Sequence, residues 1–150
     1  MRSIKLFIKS LCFFVFRIFP IQKNKIFFDN YNGRSFGCNS KYIAEKLHEL
    51  YPEYKIVFQV QNGFENGFPD YIKLVKFESI QSIYEQVTSK VWVTNVRRSI
   101  IAKKRKGQFY IQTWHGAIGV KKCEKDALDK ITPQSIKQAL HDSPLIDLMI

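Results

Sequence analysis

From Lys25 onward, short apolar runs with strand character alternate with segments whose apolar residues recur at helical spacing, and this alternation leaves few folds open. Strands separated by helices do not pair as hairpins. Crossover connections carry them side by side instead, which gives a mostly parallel sheet with helices on its faces. The expected class is therefore α/β, a Rossmann-like open sheet with flanking helices. A chain of 150 residues, 45% of them hydrophobic, is long enough to bury one such core and does not have the composition of a disordered segment.

Along the chain, Lys25 to Asp29 predicts a first strand and Tyr31-Asn32-Gly33 a turn. Asn39 or Ser40 can cap a helix from Lys41 to Leu50, with Ile43, Leu47 and Leu50 on one face and Pro52 ending it. Lys55 to Val60 reads as a second strand, Gly63 to Pro69 as an exposed loop and Ile72 to Val75 as a third strand. Ser79 caps a helix from Ile80 to Thr88, whose buried stripe is expected to be Ile80, Ile83, Tyr84 and Val87. Val91 to Thr94 is the next strand, a helix carrying basic residues can begin after Asn95, and Phe109 to Ile111 returns to the sheet. Thr132 before Pro133 starts a last helix with Ile136 and Leu140 facing inward, and Leu145 to Ile150 reads as a buried strand. Such a strand is normally followed by covering structure, so the sequence is expected to be part of a longer chain.

The net charge of +11 is large for this size and implies an acidic partner. It is concentrated in two stretches without acidic residues, Met1 to Lys25 and Arg97 to Lys106. The second, with Phe109, Tyr110 and Trp114 nearby, could serve a nucleic-acid-binding domain. No RRM, KH or helix-turn-helix pattern accompanies it, so nucleic acid is not the expected partner. Cys12, Cys38 and Cys123 are widely separated, which fits a reduced, cytoplasmic setting and no zinc or disulfide framework. No metal-binding histidine spacing, Walker loop or GxGxxG occurs, so no metal or cofactor is expected.

Residues 1–22 form a region apart from the domain expected over 23–150. The longest uncharged run, Ser10 to Phe16, is far short of the ~20 residues needed to span a bilayer. At about 100° per residue, Arg2, Lys5, Lys9 and Arg17 share one third of a helix circumference, while Ile4, Phe7, Ile8, Leu11, Phe14, Val15 and Ile18 cover the rest. This is the pattern of a helix lying on an anionic membrane surface, with Arg2, Lys5, Lys9 and Arg17 as the membrane-binding cations. A helix packed on the domain with its lysines in water fits the same residues.

Gln112-Thr113-Trp114-His115-Gly116 follows the strand at Phe109 directly, and Lys121 and Lys122 come shortly after. Strand ends of an open α/β sheet face its ligand crevice, which puts His115 and Gly116 at the mouth of a site. An imidazole titrates near neutrality and can take a proton from an attacking hydroxyl, so His115 is the candidate general base. Thr113, Trp114, Gly116, Lys121 and Lys122 are the candidate substrate-binding residues, the lysines meeting an anionic group. Asp126 reads as a surface carboxylate, and His48 and His141 as surface or helix-end residues.

Read together with Ala117-Ile118-Gly119-Val120 and Lys121-Lys122-Cys123-Glu124-Lys125-Asp126, this segment resembles the signature of the CDP-glycerol glycerophosphotransferases, which build teichoic acids and related surface polymers. The usual pattern is His-Gly-Thr-Pro with a Lys-Lys pair soon after. Here Ala117 and Ile118 stand in place of threonine and proline, and the lysine pair comes one residue later, resembling a variant branch. Looser matches are Asn39-Ser40-Lys41-Tyr42-Ile43 and Trp92-Val93-Thr94-Asn95. The resemblance implies the N-terminal, acceptor-side half of a GT-B fold. It implies transfer of glycerol phosphate or ribitol phosphate from CDP-glycerol or CDP-ribitol, with CMP released. The acceptor would be a hydroxyl of a polyol-phosphate, glycan or lipid-linked polymer, at the inner face of the plasma membrane. A non-catalytic fragment that binds acceptor or membrane is the alternative.

Overall fold

Each strand-like run pairs in parallel with its neighbours, and together they make one six-stranded sheet. The structure, a computed structural model, describes residues 2–115 and 131–150. Helix α1 (Arg2–Val15) leads into a 3-10 turn (Phe16–Ile18), followed by β1 (Gln22–Asp29), α2 (Cys38–Leu50), β2 (Lys55–Val60) and β3 (Ile72–Lys76). Then come α3 (Ile80–Thr88), β4 (Ser89–Thr94), β5 (Phe109–Gln112), α4 (Pro133–Asp142), a further 3-10 turn (Ser143–Leu145) and β6 (Leu148–Met149). The order is β3-β2-β1-β4-β5-β6, with every pairing parallel. The chain thus winds outward one way from β1 and the other way from β4, leaving a switch point between them. The α/β Rossmann-like expectation holds.

Alternate side chains of the central strands feed two cores, as the pleat requires. Ile26, Phe28, Ile56, Phe58 and Val93 pack beneath Ala44 of α2, with the rings of Phe28 and Phe58 stacked at 4.7 Å. On the opposite face lie Phe27, Val57, Trp92 and Tyr110. Helix α3 covers that face, its Gln86 carbonyl accepting from Nε1 of Trp92 at 2.7 Å. α1 forms an outer layer there, inserting Phe13 beside Ile83 and Val87. Gly33 lets the loop after β1 touch the end of β2. Its φ is +78°, and a Cβ would come within 3.0 Å of Gln61 N and Val60 Cα.

Several expectations need correction. α2 begins earlier than expected, at Cys38, with Gly37 rather than Asn39 or Ser40 at its N-cap. α3 exposes Ile80 at 56% and buries Ser82, Glu85 and Gln86. The sheet presents polar partners to that side: Ser82 donates to Gln59 Oε1 at 2.8 Å, and Glu85 takes Lys25 at 2.7 Å and Lys73 at 2.6 Å. Leu140 is exposed and the buried residue of α4 is Asp142, hydrogen-bonded by the hydroxyl of Tyr110. The final apolar run is an exposed edge strand, and Leu145 and Ile146 pack on the core in its place. Phe68, in the loop expected to be exposed, packs on Phe36 and Phe58.

No helix follows Asn95. Residues 95–108 run as turns and loop because their cations are drawn to separate acceptors. Arg97 reaches Asp142, Arg98 reaches Asp29, Lys104 reaches Asp147, and Arg105 donates to the carbonyls of Phe19, Val87 and Arg17. Three of the six cations that are unopposed in sequence thus meet carboxylates in space.

Candidate active site

Strand register gathers the site. Asp29 lies beside Thr94, Thr94 beside Gln112, and Gln112 beside Met149, so four strand ends form one row at the carboxyl edge of the sheet. Gln112 is fully buried and uses both halves of its amide. Its Nε2 donates to Val96 O and the Tyr110 hydroxyl at 3.1 Å each, while its Oε1 accepts from Trp114 N at 3.1 Å. Thr113 donates its N–H to Thr94 O at 2.8 Å and its hydroxyl to the same carbonyl at 3.3 Å. The two residues clamp the segment to β4. Trp114 then turns the chain with φ of +54°, a left-handed conformation that costs a bulky residue about 1–3 kcal/mol.

This turn brings His115 out to an exposed position. Its Nδ1 lies 2.7 Å from the backbone carbonyl of Asn95. A carbonyl only accepts, so in the neutral ring Nδ1 carries the hydrogen and Nε2 keeps its lone pair. The ring is further fixed by Tyr31, edge-on at 5.6 Å, and by Trp114 at 4.9 Å. Asn95 also accepts the N–H of Tyr31 through Oδ1 at 2.8 Å. One residue at the end of β4 thus ties together the loops after β1 and β5, across the switch point.

His115 lines a cavity of about 510 Å³ with Tyr31, Cys38, Asn39, Thr113 and Trp114, closed on one side by Met149 and Ile150. Tyr31 and Cys38, like Trp114, have positive φ, so strained backbone is concentrated around this space. Cys38 and Asn39 are the first residues of α2, whose N-cap Gly37 supplies no side-chain acceptor. The first-turn N–H groups and the helix dipole there favour an anion. Hydrogen bonding of the Tyr31 hydroxyl to Cys38, with burial, pushes that hydroxyl above its ordinary range, so it stays protonated.

Of the residues singled out in the sequence, the fold brings Thr113, Trp114 and His115 together. Thr113 is 3% exposed with its hydroxyl already committed to the backbone, so its geometry is that of a clamp. Gly116, Lys121, Lys122 and Asp126 lie outside the described residues. Lys9 pairs with Glu78 at 2.7 Å and Arg17 donates to Lys103 O, so these cations of the N-terminal helix and the turn after it engage the domain. Phe7, Phe14 and Ile18 are left facing outward, each at least 70% exposed. No described helix is long and apolar enough to cross a membrane. His48 stacks on Tyr71 at 3.7 Å, and His141 bonds Ala102 O at 2.9 Å. Among the described residues no group of His, Cys, Asp or Glu could hold a metal ion.

Sequence reasoning missed Tyr31, Asn95 and Arg97, whose guanidinium lies 5.4 Å from the Trp114 ring centre. The available signal was position: Tyr31 and Asn95 directly follow two strands that end at one crevice.

A doubly wound parallel sheet whose strand ends gather at one crevice defines the class, a Rossmann-like α/β domain. The family model described as CDP-glycerol:poly(glycerophosphate) glycerophosphotransferase matches residues 11–150, and the chain belongs to that family. It is 31% identical over 121 residues to the teichoic acid poly(glycerol phosphate) polymerase of Bacillus spizizenii, covering 77% of this chain and 30% of that protein. It is 28% identical over 96 residues to the teichoic acid glycerol-phosphate transferase of Staphylococcus aureus, covering 63% of this chain and 24% of that one. The solved wall teichoic acid polymerase TagF superposes with a TM-score of 0.75 at 23% identity, covering 99% of this chain and 38% of that one. The chain spans less than a third of the length of the curated relatives it matches.

Proposed function

We propose that the chain forms the acceptor-side part of a glycerophosphotransferase, in which His115 is the general base. The observation that carries this reading is the bond from Nδ1 of His115 to the Asn95 carbonyl, which leaves the lone pair on Nε2 in a ring that lines the cavity. An acceptor hydroxyl gives its proton to Nε2 while its oxygen attacks the β-phosphorus of CDP-glycerol. The bond from that phosphorus to the bridging oxygen breaks, and CMP leaves with the electron pair. General-base assistance of this kind is worth about 10²–10⁴ in rate. Charge developing on the phosphoryl oxygens is met by the open first turn of α2 and by Lys121 and Lys122. Thr113 and Gln112 hold the segment, and Trp114 and Gly116 border the substrate.

The acceptor in this reading is a glycerol-phosphate polymer or its lipid-linked primer, and CDP-ribitol is the alternative donor. In this reading the outward apolar surface of α1 rests on the inner face of the membrane, with residues 1–22 as a docking helix and 23–150 as the domain. The likeness to polymerases of teichoic acid supports the reaction class.

The test is CMP release from CDP-glycerol by the protein carrying this chain, wild type against His115→Ala. A loss of at least about a hundredfold, with circular dichroism unchanged, is expected. Nitrogen NMR of the wild-type imidazole should place the hydrogen on Nδ1. Unchanged turnover rejects the base assignment.

A further inference from the structure

We infer that Asp142, the last residue of α4, is a positioning residue for His115: two routes from this one buried carboxylate converge on Trp114, the residue that carries the histidine. The inference rests on the reading of His115 as the base, and it names what holds that base in place from a distant element.

The first route reaches the Trp114 backbone. Trp114 N–H donates to Gln112 Oε1 at 3.1 Å, Gln112 Nε2 donates to the Tyr110 hydroxyl at 3.1 Å, and that hydroxyl donates to Asp142 Oδ1 at 3.2 Å. The direction is fixed at both ends, because a backbone N–H only donates and a carboxylate only accepts. Thr94 Oγ1 also lies 3.0 Å from the Tyr110 hydroxyl, but a carboxylate is the stronger acceptor. Burial pushes the Tyr110 hydroxyl far above its ordinary range, so it keeps the hydrogen that it donates. Gln112 Nε2 also donates to Val96 O, which accepts only, so Oε1 is the end of the amide left for Trp114.

The second route reaches the Trp114 ring. Arg97 Nη1 donates to Asp142 Oδ2 at 3.5 Å and to Ser143 Oγ at 2.9 Å, and its guanidinium lies over the indole, 5.4 Å from the ring centre. Both oxygens of one carboxylate, 0% exposed, are thus used toward the same neighbour of His115. That neighbour needs holding, since a bulky residue at φ of +54° persists only where its surroundings fix it. The indole in turn borders the imidazole at 4.9 Å. An apolar residue at 142 could fill the space, yet it would leave the Tyr110 hydroxyl and Arg97 without their acceptor.

The test uses the protein carrying this chain and reads two quantities, hydrogen exchange of the Trp114 amide and turnover of CDP-glycerol. Tyr110→Phe cuts the first route and Arg97→Gln the second. Each should lower kcat several-fold, and the double variant at least about tenfold, with KM within about twofold of wild type. Tyr110→Phe should also speed exchange at Trp114. Asp142→Asn keeps an oxygen for Tyr110 but gives up the charge that holds Arg97, so it should behave as Arg97→Gln does. Ser82→Ala, which removes a buried hydroxyl bond under α3, should lower the melting temperature and leave kcat intact. A double variant that loses stability but turns over as wild type, while His115→Ala is crippled, overturns the inference. Exchange at Trp114 as slow in Tyr110→Phe as in wild type overturns it too. Faster exchange with turnover unchanged both there and in His115→Ala rejects the base reading and upholds the hold on Trp114.

Discussion

Arg98, on the loop after β4, donates to the carboxylate of Asp29 at the end of β1, with the two side chains 7% and 0% exposed. The pair stitches the switch point from the side opposite α2. Burial pushes the Asp29 carboxyl above the ordinary range, and the guanidinium only partly offsets this. Replacing Arg98 by Ala strands a buried carboxylate and should cost about 3–5 kcal/mol near neutral pH. Because the folded state then holds a proton on Asp29 more tightly than the unfolded chain, stability falls as pH rises above the unfolded value. Urea melts should therefore show a larger deficit at neutral pH than in mild acid. A deficit independent of pH would contradict the assignment.

Glu85 has the opposite sign. Burial alone would raise its carboxyl, but the hydrogen bonds from Lys25 and Lys73 outweigh it and hold the group below the ordinary range. Its contribution is fully present above the unfolded glutamate value of about 4.3 and is lost as pH falls through the lower folded one. Wild type should therefore lead Glu85→Gln in thermal stability near neutrality, with the gap closing in acid. A gap that persists unchanged at the acid end would overturn this.

In the proposed reaction Tyr31 positions His115, whose ring it meets edge-on. Tyr31→Ala should lower kcat on the order of tenfold with little change in KM, and Tyr31→Phe, which keeps the ring, should restore it. Equal losses in both variants would assign the effect to the hydroxyl instead.

The outer surface of α1 offers a clean membrane test, because Phe7 and Phe14 are 70% and 72% exposed and support no core. Phe7→Glu/Phe14→Glu should reduce co-sedimentation with anionic vesicles several-fold while leaving the melting temperature within a few degrees. Undiminished sedimentation would dismiss α1 as the docking surface.

The sheet was readable because strand and helix periodicities are local. Lys55–Val60, Ile80–Thr88 and the Thr132 cap stand where the pattern places them. Helix faces were harder. Ile80 and Leu140 have the right spacing to be buried, yet Glu85 and Asp142 occupy the inside because Lys25, Lys73, Arg97 and Tyr110 come to meet them from distant elements. Spacing along one helix carries no information about the partner across it.

The same division runs through the site. By itself the sequence determined that a histidine follows a strand end, with a tryptophan before it and lysines after, since these are facts of chain order. Only the tertiary structure decided which nitrogen of that histidine is basic, because Asn95 is twenty residues away and meets the ring only where β4 and β5 lie in register. It also decided that three of the six cations from Arg97 to Lys106 meet carboxylates. Charge separated along a chain is screened by whatever the fold brings within a few ångströms, and that depends on how the strands are ordered in the sheet.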